Sequence, residues 1–367
     1  MKKFYWKFAI AAFCLALVLI VGSLHHTAAQ PVSGKATEKV AVGNTDVDKI
    51  DSLVKKNNFC GSIYVVKNGH VLYEKSAGYA DFGRRVKNSK TTSYEIDSIQ
   101  KNLTAGILMN LVQQGKVNLT DHLSKYFPNV KGADQITLRQ MLDMESGLTL
   151  KGNGPTKVLA DPQLVDADIA NINFDHLMLN KWQYSPINFV LLARIIEKVT
   201  GETYKEAFTQ TYIVPLNLKE TTFAYGSDND VNKAQGYTNK IPVSANLNYH
   251  NPFITTPFQT RDELGTGQVF MSPRDLFKVE NYIVSGNLLT KQSRQTLFIP
   301  ASISTYGGGF YNNHQSHSAN GWGYGFQSVV HISDDGQTAV VIMSNYQRLA
   351  ADIKPMASQI YTIAQQK

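Results

Sequence analysis

Ser98-Ile99-Gln100-Lys101 decides how the chain is read, because the hydrophobic period changes there. Upstream, Thr91-Thr92-Ser93-Tyr94-Glu95-Ile96 is short and β-prone and has no helical repeat. Downstream, Leu103, Ile107 and Leu111, with Leu108 and Val112 beside them, recur at helical spacing until Gly115. Asp97 reads as an N-cap and Ser98 as the opening of a buried helix. Serine and lysine three positions apart share one helix face, so the amine lies beside the hydroxyl. A serine hydroxyl is a weak nucleophile until a neighbouring base takes its proton, and a partly desolvated lysine can be that base. Backbone N–H groups at a helix start favour an oxyanion. The same spacing recurs at Ser52-Leu53-Val54-Lys55. There an amphipathic pattern over residues 47–54 turns both side chains toward water, so that repeat is read as a solvated face.

The 367 residues suit one large catalytic unit, and an apolar fraction of 43% is ample for its core. Of the formal charge of +7, three units come from Lys2, Lys3 and Lys7, leaving about +4 on the body. No run of basic residues interleaved with aromatics is present, which argues against a nucleic-acid partner. A mildly basic body fits a polyanionic neighbour such as an acidic wall polymer or anionic lipid, and equally no specific partner. The three lysines precede an apolar run from Phe8 to Leu24 and a small-residue exit at Ala28-Ala29. Residues 1–29 are therefore expected to be a signal peptide or an N-terminal membrane anchor, so that the body is exported or held at the cell surface. Residues 30–46 read as a linker and 47–367 as the folded domain, expected to be monomeric. Cys60 is the single cysteine beyond the leader, which excludes an intramolecular disulfide there; a small buried hydrophobe is the expected role.

Asn68-Gly69 joins two β-rich runs, residues 61–66 and 71–74, as a hairpin. A second hairpin is expected where 326–332 and 338–343 flank Ser333-Asp334-Asp335-Gly336. Helices are expected at 47–55, at 137–144 ending at Gly147, from Pro186 to Gly201 with Ser185 as cap, and at 349–364 with a bend at Pro355. Residues 151–180, rich in Gly, Pro, Asp and Asn, read as an insertion rimming a site. The fold class is therefore α/β in the α+β sense. One antiparallel sheet is built from both chain termini and flanked by helices, with a mainly helical lobe inserted and the site in the cleft.

Two further stretches supply partners for Ser98. Trp182-Gln183-Tyr184-Ser185 puts Tyr184 at a loop-to-helix corner, where a phenol near an ammonium can relay a proton. His317-Ser318-Ala319-Asn320-Gly321 carries small residues that let a substrate backbone approach, with the imidazole, the Ser318 hydroxyl and the Asn320 N–H available to a cleft. His314 and His317 lack acidic or cysteine companions, so no metal is expected. The chain has no G-x-S-x-G elbow, H-E-x-x-H or phosphate-loop motif.

Taken in order, several blocks make the chain resemble the serine β-lactamase-like superfamily. The branch is that of class C β-lactamases, low-molecular-weight penicillin-binding proteins, D-stereospecific peptidases and related esterases. The blocks are Ser76 to Asp81, Ser98 to Lys101, Leu111 to Leu119, Ile136 to Leu142 with Ser146-Gly147-Leu148, Tyr184-Ser185-Pro186, Pro215 to Leu218, and His317-Ser318-Ala319. The resemblance implies a β-lactamase/transpeptidase-like fold and an acyl-serine on Ser98, with Lys101 and Tyr184 sharing proton transfer. It also implies that His317, Ser318 and Ala319 contact substrate, that the N–H groups of Ser98 and Asn320 form the oxyanion hole, and that no cofactor is required. Two departures weaken recognition of a penicillin or a D-Ala peptide. Pro186 stands where the second motif has asparagine, and the third motif reads His317 for lysine and Ala319 for glycine. The expected substrate is a D-alanyl peptide or a D-alanyl ester of teichoic acid; a silent polymer-binding homologue and a general short-chain esterase are the alternatives.

Overall fold

The computed structural model describes residues 45–152, 154–226, 231–241, 244–299 and 304–366. The assignments for residues 1–29 and for all but the end of the linker lie outside them. The first described helix, α1 (Asp46–Lys56), starts one residue earlier than expected because Thr45 and Asp48 close a capping box around its first turn. Strands β1 (Gly61–Lys67) and β2 (His70–Ala77) follow as the predicted hairpin. Both turn residues, Asn68 at φ 52° and Gly69 at φ 75°, take the left-handed conformation that a two-residue hairpin requires.

The rest of the sheet comes from the far end of the chain: β3 (Tyr306–Gly307), β4 (Phe310–Asn313), β5 (Ser316–Gly323), β6 (Phe326–Ser333) and β7 (Ala339–Ser344). The seven strands lie in the order β3-β4-β5-β6-β7-β1-β2, all antiparallel. Val65 opposite Val340 and Ile63 opposite Ile342 join the two ends of the described chain. Alternation along these strands builds two cores. Ile63, Val65, Val329, Val340 and Ile342 pack on α1 and on the C-terminal helix, which spans Ile353–Gln365. Tyr64, Val66, Val330, Ile332, Val341 and Met343 face the opposite way, onto the larger core.

Inside that larger core runs α2 (Gln100–Gln113), buried almost all round through Leu103, Ala105, Ile107, Leu108, Met109 and Leu111. Its buried polar groups are tied to neighbours. Gln100 Oε1 accepts from the Gln268 N–H at 2.5 Å, the Thr104 hydroxyl donates to Gly265 O at 2.7 Å, and Asn102 Nδ2 donates to Glu280 Oε1 at 2.9 Å. Against it lie α3 (Ile187–Thr200), which Gly201 ends at φ 77°, and α4 (Pro273–Val284). The C-terminal helix is α5. Cys60 is buried, with Sγ 3.2 Å from the Tyr249 hydroxyl, and burial raises its thiol pKa.

Several local expectations change; Ser185, for one, does not cap α3, which begins after Pro186 without a side-chain cap. Asp97 is not an N-cap: it has φ 45° and lies, with Ser98 and Ile99, in a 3₁₀ turn that leads into α2. Residues 138–142 alone are helical in the 137–144 stretch, and the chain then passes through Gly147 as a strand, Ser146–Leu150. That strand pairs with Ile172–Leu179, and 151–180, read as an insertion rimming a site, holds this strand and a helix (Asp161–Ala170). Cross-strand pairing supplied the order that local composition did not. Pro355 falls in the first turn of α5, where its missing N–H costs nothing.

The Glu280–Asn102 pair yields a test. Glu280 is fully buried, and desolvation raises its pKa to about 8. Glu280 Oε2 and Asn102 Oδ1 are buried and have no other partner. A protonated carboxyl satisfies both in a cyclic acid–amide pair. The folded state thus holds a proton that the unfolded chain releases near pH 4.5, so this pair's contribution to stability is greatest below that pH. It falls by about 1.4 kcal/mol per pH unit until the carboxyl ionises near pH 8. Glu280→Gln keeps both hydrogen bonds and should flatten the dependence of urea-unfolding stability on pH between 5 and 8.

Candidate active site

The 3₁₀ turn brings the Ser98 side chain out of the core while Lys101, one turn on, stays within it. Lys101 is 1% exposed, and its Nζ donates to Ser98 Oγ at 2.9 Å and to the Thr266 carbonyl at 3.5 Å. From the other side the Tyr184 hydroxyl donates to Ser98 Oγ at 2.8 Å. The Lys101 amine also lies 5.3 Å from the centre of the Tyr184 ring. Ser98, Lys101 and Tyr184, residues from two distant stretches of sequence, therefore meet at one oxygen.

Each partner is held by its own scaffold. Thr266 O is in place because Gln100 and Thr104 pin residues 265–268 to α2. Tyr184 sits on a corner strapped to the turn after the short helix Leu138–Leu142: Gln183 N–H donates to Met144 O at 2.8 Å, and Asn180 N–H to Glu145 O at 2.9 Å. Asn188 in α3 extends the strap, accepting from the Ser146 hydroxyl at 2.6 Å and donating to Ser185 O at 3.0 Å. Buried Tyr306 packs edge-on behind the Tyr184 ring, centroids 6.5 Å apart. Pro186, which precedes α3, is exposed.

The third group of expected residues is arranged differently. His317 points into the sheet's edge, where Nδ1 donates to Asn312 Oδ1 at 2.7 Å and the ring packs 4.0 Å from Phe298. Asn312 Nδ2 donates to Gly307 O, which fixes the amide and hence the imidazole tautomer. Desolvation lowers the imidazole pKa to about 4. Nε2 lies 3.1 Å from Asp334 Oδ1. That distance would suit an ion pair, but the buried ring favours neutrality, and burial and Asp335 push the Asp334 carboxyl toward its protonated form. Both ring nitrogens are thus committed away from Ser98. Ser318 stands opposite His331, whose ring stacks 3.6 Å from Tyr361 of α5, so its row faces the other side of the sheet. Ala319 is buried in the larger core, opposite Val330.

Gly321 and Gly323 are the β5 residues that meet the Ser98 turn. A Cβ on Gly321 would lie 2.1 Å from Ile96 O, and one on Gly323 would lie 2.6 Å from Asp97 Oδ1. The imidazole, four residues back along β5, is about 13 Å further along the strand. Past the Tyr311–Ser318 pair the outer edge of β5 has no strand partner, so edge N–H groups between residues 319 and 323 are left open. Asn320 lies within that open stretch.

Sequence reasoning missed the acids behind the serine. The Asp97 carboxyl is 3% exposed and neither oxygen has a hydrogen-bond partner. Burial first, and then the charge of Glu263, raise its pKa well above the usual carboxylate range. Glu95 is shifted the same way by burial and by Asp97 and Glu263. Glu263 itself accepts from the Tyr324 hydroxyl at 2.8 Å. Glu95 and Asp97 sit two positions apart, but Glu263, which acts on both, comes from a distant stretch and leaves no local pattern to read. Among the described residues no group of His, Cys, Asp and Glu is arranged to hold a metal ion.

The family model described as Beta-lactamase matches residues 48–363. The chain belongs to the beta-lactamase family. A candidate penicillin-binding protein of Bacillus subtilis (strain 168), PbpX, is 30% identical over 321 residues, covering 87% of this chain and 78% of that protein. Teichoic acid D-alanine hydrolase of Staphylococcus aureus is 31% identical over 253 residues, covering 69% of this chain and 59% of that hydrolase. The crystal structure of FmtA from Staphylococcus aureus superposes with a TM-score of 0.73 at 26% identity, over 87% of this chain and 86% of that one. D-amino acid amidase from Ochrobactrum anthropi SV3 shares the fold, with a TM-score of 0.71 at 20% identity over 86% and 96% of the two chains. This family member is a serine hydrolase of penicillin-binding-protein-like type, with the α+β fold expected from the sequence.

The close approach of β5 makes a specific demand on the turn. Gly321→Ala should displace the Ile96–Ser98 backbone by close to an ångström and lower the rate of Ser98 acylation by about 10²-fold. Stopped-flow acylation by a chromogenic ester, set beside thermal unfolding, measures the kinetic loss separately from any loss of fold.

Proposed function

We propose that the protein acts outside the cytoplasm as a D-alanyl esterase on teichoic acid, through an acyl-serine on Ser98. The observation that carries the reading is the convergence of Lys101 Nζ and the Tyr184 hydroxyl on Ser98 Oγ, at 2.9 and 2.8 Å. In this mechanism Lys101 and Tyr184 divide the proton work. One takes the hydroxyl proton as Oγ bonds to the ester carbonyl carbon. The other protonates the alcohol oxygen as the carbon–oxygen bond breaks. Water then attacks the acyl-serine by the reverse proton path and releases D-alanine. The Ser98 N–H and an open-edge N–H of β5, from Asn320 or Trp322, receive the oxyanion, each such donor supplying about 2.7–4 kcal/mol.

The choice of ester over peptide rests on what the pocket does not offer a peptide. Pro186 has no amide side chain, β5 carries no lysine or arginine, and His317 is turned away from Ser98. A carboxylate at the end of a D-alanyl peptide would find little to hold it. The relative named teichoic acid D-alanine hydrolase supports the same substrate, and a net positive body suits an anionic polymer. Export is inferred from residues 1–29; among the described residues no helix is long and apolar enough to cross a membrane.

Purified protein incubated with D-alanylated teichoic acid should release free D-alanine, and a D-alanyl stem peptide should release little. Release from the peptide alone would defeat the ester assignment. Ser98→Ala should abolish release without changing the unfolding midpoint. Lys101→Met should lower it by about 10²–10⁴-fold, and mass spectrometry of quenched wild type should find D-alanyl on Ser98.

A further inference from the structure

The substrate of this reaction differs from a penicillin or a peptide terminus in the charge it brings. A D-alanyl ester carries a free ammonium on the carbon next to the reacting carbonyl and has no carboxylate. Acids gather behind the Ser98 turn, where Asp97 interacts electrostatically with both Glu263 and Lys101. Glu263 Oε1 is fixed by the Tyr324 hydroxyl at 2.8 Å. Its Oε2 lies directly over Gly267, where a Cβ would fall 1.8 Å from it. Gly267 adjoins Thr266, whose carbonyl receives the Lys101 amine. Glu263 and Gly267 are joined again through the backbone, Gly267 N–H to Glu263 O at 3.1 Å.

A second observation is independent of Glu263's own contacts. Asp97, the residue before Ser98, buries both carboxyl oxygens with no hydrogen-bond partner, against the bare backbone of Gly323. An unpartnered buried acceptor beside a nucleophile is costly unless something fills its valence. Gly323, partly buried and without a side chain, lies directly against it.

We infer that Glu263, oriented by Tyr324 and backed by Asp97, is the subsite that receives the substrate's α-ammonium. The inference rests on the D-alanyl ester reading and deepens it. Glu263 would then determine specificity by contact with substrate, and Tyr324 would be a positioning residue that acts through it.

The test compares two substrates: the D-alanyl ester of glycerol phosphate, and the same ester N-acetylated, which lacks the charge. For the wild type kcat/KM should favour the free amine. Glu263→Gln should reduce that preference at least tenfold, chiefly through KM for the free amine, with the acetylated ester little changed. Glu263→Asp should retain part of the preference, and Tyr324→Phe, which frees the carboxyl without removing it, should fall between. Equal loss on both esters, or no change on either, overturns the subsite while leaving the esterase intact. A wild type that cleaves the acetylated ester or a peptide but not the D-alanyl ester overturns both the substrate assignment and the subsite. Thermal unfolding of each variant keeps loss of fold distinct from loss of preference, and Tyr324→Phe gives a second route should Glu263→Gln not fold.

Discussion

A lysine amine sealed from water beside a serine hydroxyl is the constraint to which the rest of the structure answers. Removing an ammonium from water without strong partners is among the costlier things a fold can do. Here Lys101, 1% exposed, is given the Ser98 hydroxyl, the Thr266 carbonyl and the face of Tyr184. None of these is a counter-ion. Its Nζ is thereby directed at the hydroxyl with which it is proposed to exchange a proton. Around it the core is rigid: α2 is packed on nearly every side, and its remaining polar groups are pinned to residues 265–268 and to α4.

Closeness of approach is the second requirement, and glycine meets it at named places. Gly321 and Gly323 let β5 lie against Ile96 and Asp97, and Gly309 lets the β3–β4 turn reach the backbone of Lys101 and Asn102, where a Cβ would come within 2.6 Å of Asn102 Cα. Sheet and helix thereby share the few ångströms around Ser98. A side chain at any of these points would separate them. The serine's exposure follows from the same geometry, since a 3₁₀ turn at 97–99 rotates it away from the apolar face that continues in α2.

Electrostatics distinguish this pocket from the one the motif pattern suggested. The expected basic residue, His317, is neutral and engaged with Asn312, Phe298 and Asp334. In its place the pocket gathers Glu95, Asp97 and Glu263, with the first two driven toward their neutral forms by burial and mutual repulsion. Glu263, held by the Tyr324 hydroxyl, is the acid proposed to receive the substrate's ammonium.

Much of this was legible beforehand where the signal is local. The i, i+3 pairing of Ser98 and Lys101, the Asn68-Gly69 hairpin, the apolar stripe of α3 and the sheet drawn from both ends all follow from spacing and turn chemistry, which depend on neighbours in sequence. The strand and helix within 151–180 did not, because the strand is held by pairing with Ser146–Leu150 and the helix by packing Leu164 and Val165 into the core. Nor did the site's third side. Which residues of β5 face Ser98 depends on a register set by the hairpin with β6 and on the packing of the Ile96–Asp97 backbone, and a four-residue difference exchanges an imidazole for a bare glycine. The chain's own order thus determined the nucleophile, its amine and the architecture that carries them. Tertiary contact alone decided which charges face the substrate, because burial and through-space repulsion act between residues that the sequence keeps far apart.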